Sequence, residues 1–210
     1  MRVHVDLEGL QLTGPKWDTL PNGTSKTHVF EFDKIPAAPG TYPVLVTIEF
    51  ADLNLYPFTA LNVGGLVIGK SAGPAQLFAK AEPLEMGKKG TLTIAVKNTD
   101  QTAKKVRARV LGPRELDVRP AAFEFDLPAG EHVKKELAVE NFSALPGAGY
   151  PIFVVFDYDQ NGVRYSYPVA TPVRIAQGGL SASWRNGIIV AGGVLVALVA
   201  LYEVFRRRKA

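Results

Sequence analysis

Apolar and polar residues alternate with a period of two in short runs along much of the chain, among them LTIAV (residues 92–96), VRARVL (106–111), FEFDL (123–127) and VRYSYPV (163–169). Such alternation sends successive side chains to opposite faces of an extended backbone, so each run predicts a half-buried β-strand. Turn-forming residues separate the runs at 98–101 (NTDQ), Gly112-Pro113, 128–130 (PAG) and Asn161-Gly162. Their spacing is the roughly eight to twelve residues expected of a β-sandwich. No segment ahead of Trp184 sustains a helical period of 3.6.

One stretch has a different pattern. From Gly187 to Tyr202 nearly every residue is apolar or small, and Arg206, Arg207, Arg208 and Lys209 follow at once. A helix over residues 186–205, rising about 1.5 Å per residue, would be about 30 Å long, the thickness of a bilayer's hydrocarbon core. The run therefore predicts a single transmembrane helix over residues 185–205, with a linker at 177–184 and a basic tail at 206–210. Trp184 and Tyr202 are placed for the two interfaces, and the basic cluster marks the cytoplasmic side. Glu203 lies four residues before Arg207 and has a partner within reach on a helix.

The body of the chain repeats itself. APGTYPVLV (residues 38–46) resembles LPGAGYPIFV (145–154), and LPNG (20–23) resembles LPAG (127–130). Each LP-x-G is followed by a strand-like run, HVFEF at 28–32 and KELAV at 135–139, and Tyr56-Pro57-Phe58 matches Tyr167-Pro168-Val169. Repetition at about a hundred residues indicates tandem copies of one domain rather than the shorter period of a solenoid. The expected fold is all-β: two tandem immunoglobulin-like sandwiches, at 1–75 and 76–176, followed by the C-terminal helix. The second copy carries strand-like runs at 77–82 and 91–97 for which the first has no equivalent. The first copy is therefore expected to be partial, with strands and an export signal upstream of Met1, since residues 1–10 (MRVHVDLEGL) contain no signal-peptide core.

Charge and composition narrow the function. The four cations of the tail equal the whole formal charge of +4. The body is then neutral and lacks the cationic surface that nucleic acid requires. There is no cysteine, so disulfides, thiolate metal sites and cysteine nucleophiles are excluded, and the domains must be held by core packing. A prokaryotic envelope fits this composition better than an animal receptor.

Three motifs invite chemical readings. GGLVIGKS (residues 64–71) satisfies the phosphate-loop pattern, but its interior is β-forming and Gly73-Pro74 blocks the helix such a loop must open. Gly69 to Gly73 also fits the pattern of a nucleophile elbow, and the same Gly73-Pro74 removes its helix. No nucleotide and no catalytic residue is expected from either. Asp157, Asp159 and Asn161 begin a D-x-D-x-N-G calcium loop, but position twelve is Pro168 where a bidentate Glu is required. A hairpin turning at Asn161-Gly162 is the favoured reading, with Asp157, Asp159 and Asn161 as the calcium alternative. His4, His28 and His132 show no ligand spacing.

The order strand, KNTD (97–100), strand, LPAGE (127–131), strand, PGAGY (146–150), then FDYDQNG (156–162) resembles the CARDB-like family of prokaryotic immunoglobulin-like domains. That family is marked by "V-x-N-x-G" and "L-x-P-G-E" turns and a "G-x-Y" strand start, and Asp100 departs from the first. The resemblance implies adhesion, ligand-binding or spacer roles on an outer surface, with no common catalytic site and no cofactor. Together these features describe a non-enzymatic, single-pass membrane protein with its domains outside the cell and its tail inside. Its partners would be the lipid bilayer and a protein or envelope polysaccharide. Two alternatives fit the same features: the C-terminal appendage of a larger secreted enzyme, or a surface protein with a cleavable C-terminal sorting signal.

Overall fold

The computed structural model describes residues 1–69 and 73–177. All of their regular structure is β. The predicted transmembrane helix, its flanking Trp184, Gly187 and Tyr202, and the basic residues Arg206 to Lys209 lie outside the described residues. Among the described residues no helix is long and apolar enough to cross a membrane.

The strand runs read from the sequence at 92–96, 106–111, 123–127, 135–139 and 163–169 fall within strands. From residue 77 onward these are β5 (Leu77–Ala81), β6 (Leu84–Met86), β7 (Lys89–Asn98), β8 (Lys104–Leu111), β9 (Leu116–Arg119), β10 (Ala122–Leu127), β11 (His132–Asn141), β12 (Gly149–Gln160) and β13 (Val163–Ile175). Strands β5-β7-β11-β9 form one sheet, and β10-β8-β12-β13 lie in the other, with β6 pairing β13 in parallel. The period-two pattern explains the core between them. Leu92, Ile94 and Val96 of β7 and Ile152, Val154 and Phe156 of β12 belong to one buried cluster and are all fully buried. Burying each such side chain contributes about 1.5–3 kcal/mol.

Residues 1–69 add four strands: β1 (Arg2–Leu7), β2 (Leu10–Thr13), β3 (Gly40–Ala51) and β4 (Pro57–Ile68). All four join the second sheet, in the order β13-β3-β1-β2 with β4 on β3. The bridge to β13 is a single parallel pair, Arg164 to Gly40. Gly40 has φ of 144°, and a β-carbon there would collide with the backbone of Arg164. Met1–Ala176 form one compact unit.

Two side-chain features recur in the β3–β4 and β12–β13 hairpins. Tyr42 stands near the start of β3 and Tyr150 near the start of β12, and both are buried. The Tyr42 hydroxyl donates to the carbonyl of Ala38, and the Tyr150 hydroxyl accepts from the amide of Leu145. A tyrosine tied back to backbone just upstream is a corner feature of immunoglobulin-type sandwiches. Further along, Phe50 stacks on Phe58 across β3 and β4, and Tyr158 stacks on Tyr165 across β12 and β13.

Those aromatic pairs correct one expectation. Phe58 faces Phe50 as Tyr165 faces Tyr158, so Phe58 stands where Tyr165 does and not at Val169. The Tyr-Pro likeness between Tyr56-Pro57-Phe58 and Tyr167-Pro168-Val169 is out of register, because strand pairing fixes the equivalence. A second expectation also fails: HVFEF at 28–32 is not a strand. Its counterpart KELAV lies in β11, which bonds to β7 on one side and β9 on the other. Among the described residues 1–69 no strand stands in for β7 or β9, so HVFEF has no ladder to join.

Candidate functional site

The hairpin that contains the D-x-D-x-N-G motif turns at Asn161-Gly162, with φ of 53° and 74°. Both residues are left-handed, as a two-residue turn of the favoured hairpin type requires, and asparagine and glycine tolerate that conformation. Gln160 pairs with Val163 across it. Asp157 and Asp159, two apart on β12, project on the same face of the sheet, opposite the core residues Phe156 and Tyr158.

That face carries arginines rather than open coordination sites. Asp157 is 1% exposed, and its Oδ2 lies 3.1 Å from Arg109 and 3.4 Å from Arg164. Asp159 pairs with Arg107 and, at 3.7 Å, with Arg164. Arg107 and Arg109 also alternate on β8, directly beside β12, so the two-residue period of each strand builds a cross-strand charge ladder. Asn161 sits in the turn beyond the ladder. Among the described residues no group of three or more His, Asp or Glu is arranged to hold a metal ion.

The ladder reaches into the N-terminal strands through Glu8. Its Oε1 accepts from Arg109 at 2.8 Å and its Oε2 from Arg164 at 3.1 Å. Glu8 occupies the first turn position between β1 and β2, ahead of Gly9, with φ of 51°. Glutamate is uncommon in this left-handed region, and the conformation carries strain that surrounding contacts must offset. The same corner includes the guanidinium of Arg164 over the ring of Tyr42 and the amide of Arg164 donating to the carbonyl of Pro39. Glu8, Gly9, Arg109, Phe123, Asp157 and Arg164 line a cleft of about 570 Å³ here.

A second set of bonds joins the same parts at the other end of β3. Arg114 pairs with Glu49, and the buried carboxylate of Glu115 accepts from the amide of Thr59 at 3.1 Å. The Tyr56 hydroxyl donates to the carbonyl of Ser143 at 2.8 Å. The half-sheet of residues 1–69 is thus bonded to the sandwich at two places, one at each end of β3.

The turn motifs of the second copy have structural roles. Asn98 is fully buried, and its amide group donates to the carbonyls of Thr102, Leu127 and Pro128, while its Oδ1 accepts from the amide of Asp100. One side chain thereby ties the KNTD turn to the LPAGE turn. Asp100 accepts from Lys104 Nζ at 2.7 Å, from Gln160 Nε2 at 3.0 Å and from Thr102 Oγ1 at 2.9 Å. The Lys104 ammonium and these other donors hold the Asp100 carboxyl well below the usual carboxylate range. Lys104, whose side chain is 1% exposed, also bonds Gln160 at 2.8 Å and lies over the ring of Tyr158. Burial pushes the Tyr158 phenol up.

Of the phosphate-loop pattern, Gly64 to Ile68 run within β4, paired to β3 throughout. Lys70 and Ser71 lie outside the described residues. Sequence reasoning missed Glu8, Arg109 and Arg164. The alternation of Arg107 with Arg109 and of Asp157 with Asp159 was the available signal, because like charges two apart on neighbouring strands need opposite partners.

No family model matches the chain, and no curated protein matches it. Among solved structures it is similar to part of Escherichia coli alpha-2-macroglobulin, from domain MG7 to the C-terminus, at 18% identity and a TM-score of 0.37 over 49% of this chain and 17% of that one. It is also similar to a mutant alpha-2-macroglobulin from Salmonella, at 12% identity and a TM-score of 0.39 over 65% of this chain and 9% of the other. A third likeness is to the E. coli chaperone DraB, at 16% identity and a TM-score of 0.34 over 50% of this chain and 57% of the chaperone. The chain spans less than two thirds of the length of each of these proteins.

Proposed function

We infer that the chain is a single-pass membrane protein whose β-domains stand outside the cell as a non-catalytic binding, spacer or accessory module. The observation that carries the module reading is the double attachment of residues 1–69 to the sandwich. Glu8 joins Arg109 and Arg164 at one end of β3, and Glu49 and Thr59 join Arg114 and Glu115 at the other. Charges here, all but Arg114 buried or half-buried, hold two β-parts as one piece, which suits a body that presents surfaces or sets a distance.

The membrane reading rests on the apolar run from Gly187 to Tyr202, bracketed by Trp184 and the cations Arg206 to Lys209. The CARDB-like resemblance supports an outer-surface role. The paired tyrosine corners support reading residues 1–75 and 76–176 as two copies of an immunoglobulin-like domain. A protein or envelope polysaccharide is the partner class we favour.

Protease treatment of intact cells tests this. With epitopes at both ends, the N-terminal one should be removed from intact cells while the one beyond Ala210 persists until lysis. Protection of the N-terminal epitope until lysis would refute the outward orientation.

A further inference from the structure

We propose that the β3–β4 tip and the neighbouring β11–β12 connection form an apolar foot that rests in the outer interface of the bilayer anchoring the chain. This rests on the anchor reading above.

Leu53 and Leu55 are 102% and 83% exposed, and Phe142 is 84% exposed. Single exposed apolar residues are ordinary, but three large ones at one end of a molecule mark a contact surface. The tip is not a loose loop. Asp52 Oδ1 accepts from the amides of Asn54 at 2.9 Å and Tyr56 at 2.8 Å, and its carbonyl accepts from the amide of Leu55. Leu55 is held with φ of 63°, a conformation leucine rarely adopts, so a turn more suited to glycine or asparagine instead carries an exposed leucine. The carboxylate of Asp52 is occupied by its own loop.

The Tyr56 hydroxyl bonds the carbonyl of Ser143, which ties the strand end next to the leucine tip to the connection that carries Phe142. The same connection holds the point where the chain leaves the sandwich: the amide of Gly147 donates to the carbonyl of Ile175, and the amide of Ile175 donates to the carbonyl of Ala148. Ser143 and Gly147 are four residues apart and so within about 14 Å even if fully extended. The apolar tip and the exit toward the predicted anchor are therefore at one end of the molecule. Eight residues, 177–184, link Ala176 to the start of the predicted helix at residue 185, a reach of at most about 32 Å. A body tethered so closely can rest this end on the bilayer. Interfacial contact of this kind is driven by burial of leucine and phenylalanine among headgroups and upper acyl chains.

The chain has no cysteine, so one introduced thiol can be labelled uniquely. The full chain carrying Leu55→Cys, with an environment-sensitive fluorophore, is reconstituted into vesicles of equimolar phosphatidylcholine and phosphatidylglycerol. Gln101→Cys, in the turn between β7 and β8, serves as the distant control. Flotation of the vesicles first reports whether the chain is anchored. Expected are co-flotation, a blue shift and several-fold protection of the Leu55 label from iodide, and quenching by lipids brominated near the headgroup. The Gln101 label should show none of the last three. Failure to float overturns the anchor reading and this proposal with it. Flotation with a Leu55 label as open to iodide as the Gln101 label overturns the foot alone. Protection from iodide without quenching by brominated lipid also overturns it, since a second copy or another protein then covers the tip. Replacing Leu53 with serine, at a position wholly in solvent, should weaken the lipid quenching of the Leu55 label while leaving flotation unchanged.

Discussion

Arg164 donates to Glu8 across 156 positions of sequence, from the second residue of β13 to the turn between β1 and β2. Arg164 is 12% exposed in its side chain and also faces Asp157 and Asp159, so Glu8 completes a cluster that already holds two acids and three arginines. Removing the Glu8 carboxylate leaves Arg109 and Arg164 short of a partner at the joint. Glu8→Ala should destabilise the protein by about 1–3 kcal/mol, the range for hydrogen bonds to charged groups at a partly buried site. Glu8→Gly loses the same bonds but relieves the left-handed backbone, so it should fall about 1 kcal/mol short of the alanine loss. Urea denaturation of the three proteins checks the order: wild type, then glycine, then alanine.

Gly40→Ala should be more damaging than its size implies. A β-carbon at Gly40 has no space against Arg164, and φ there is outside the range alanine prefers. A loss of about 2 kcal/mol or more is expected, consistent with strain at a special backbone position. Limited proteolysis should then cut between the half-sheet and the sandwich sooner than in the wild type.

Asn98 has an amide facing three carbonyls, so its replacements should separate by charge and not by size. Asn98→Ala should cost about 2–3 kcal/mol through unsatisfied buried groups. Asn98→Asp, nearly isosteric, should cost more at neutral pH because it aims a carboxylate at the carbonyls of Thr102, Leu127 and Pro128. An aspartate variant as stable as wild type would contradict the hydrogen-bond assignment.

Asp100 gives the protein a defined acid sensitivity. Its carboxyl is lowered by Lys104 first and by Gln160 and Thr102 next. A depressed folded-state pKa means the unfolded state takes up the proton more readily, so this contribution is complete above the unfolded value near 3.9. It is lost as pH falls from about 4 toward the lower folded value. Asp100→Asn should remove that limb of the profile, so denaturation curves of variant and wild type should converge as the pH is lowered below about 4.

Asp157 and Asp159 should not bind calcium in the folded protein, because Arg109, Arg164 and Arg107 already neutralise them. Calorimetric titration with calcium should give only heats of dilution. A saturable heat that disappears in Asp159→Asn would restore the calcium reading.

The sandwich strands were legible because their alternation has one cause, a face buried against the opposite sheet. The hairpin at Asn161-Gly162 was legible for the same kind of reason, since backbone geometry selects those residues. HVFEF alternates as well as KELAV does, yet it forms no strand; alternation records a strand's potential, and its partners decide whether it forms. The joint was hidden differently. Glu8-Gly9 looks like an ordinary turn, and nothing near it in sequence identifies Arg109 or Arg164 as its partner. Phe50 with Phe58 and Tyr158 with Tyr165 stack alike across their hairpins, a likeness that a linear match through Tyr-Pro does not find.

The measurement nearest the central claim is the distance between the half-sheet and the sandwich in solution. In this cysteine-free chain, spin labels at Gln11→Cys on β2 and Lys97→Cys on β7, both exposed positions, report it by pulsed dipolar spectroscopy. A joint bonded at both ends of β3 predicts one narrow distance distribution, broadened when Glu8 is replaced by alanine. A broad distribution in the otherwise unaltered protein would show that residues 1–69 swing independently, and would contradict the account.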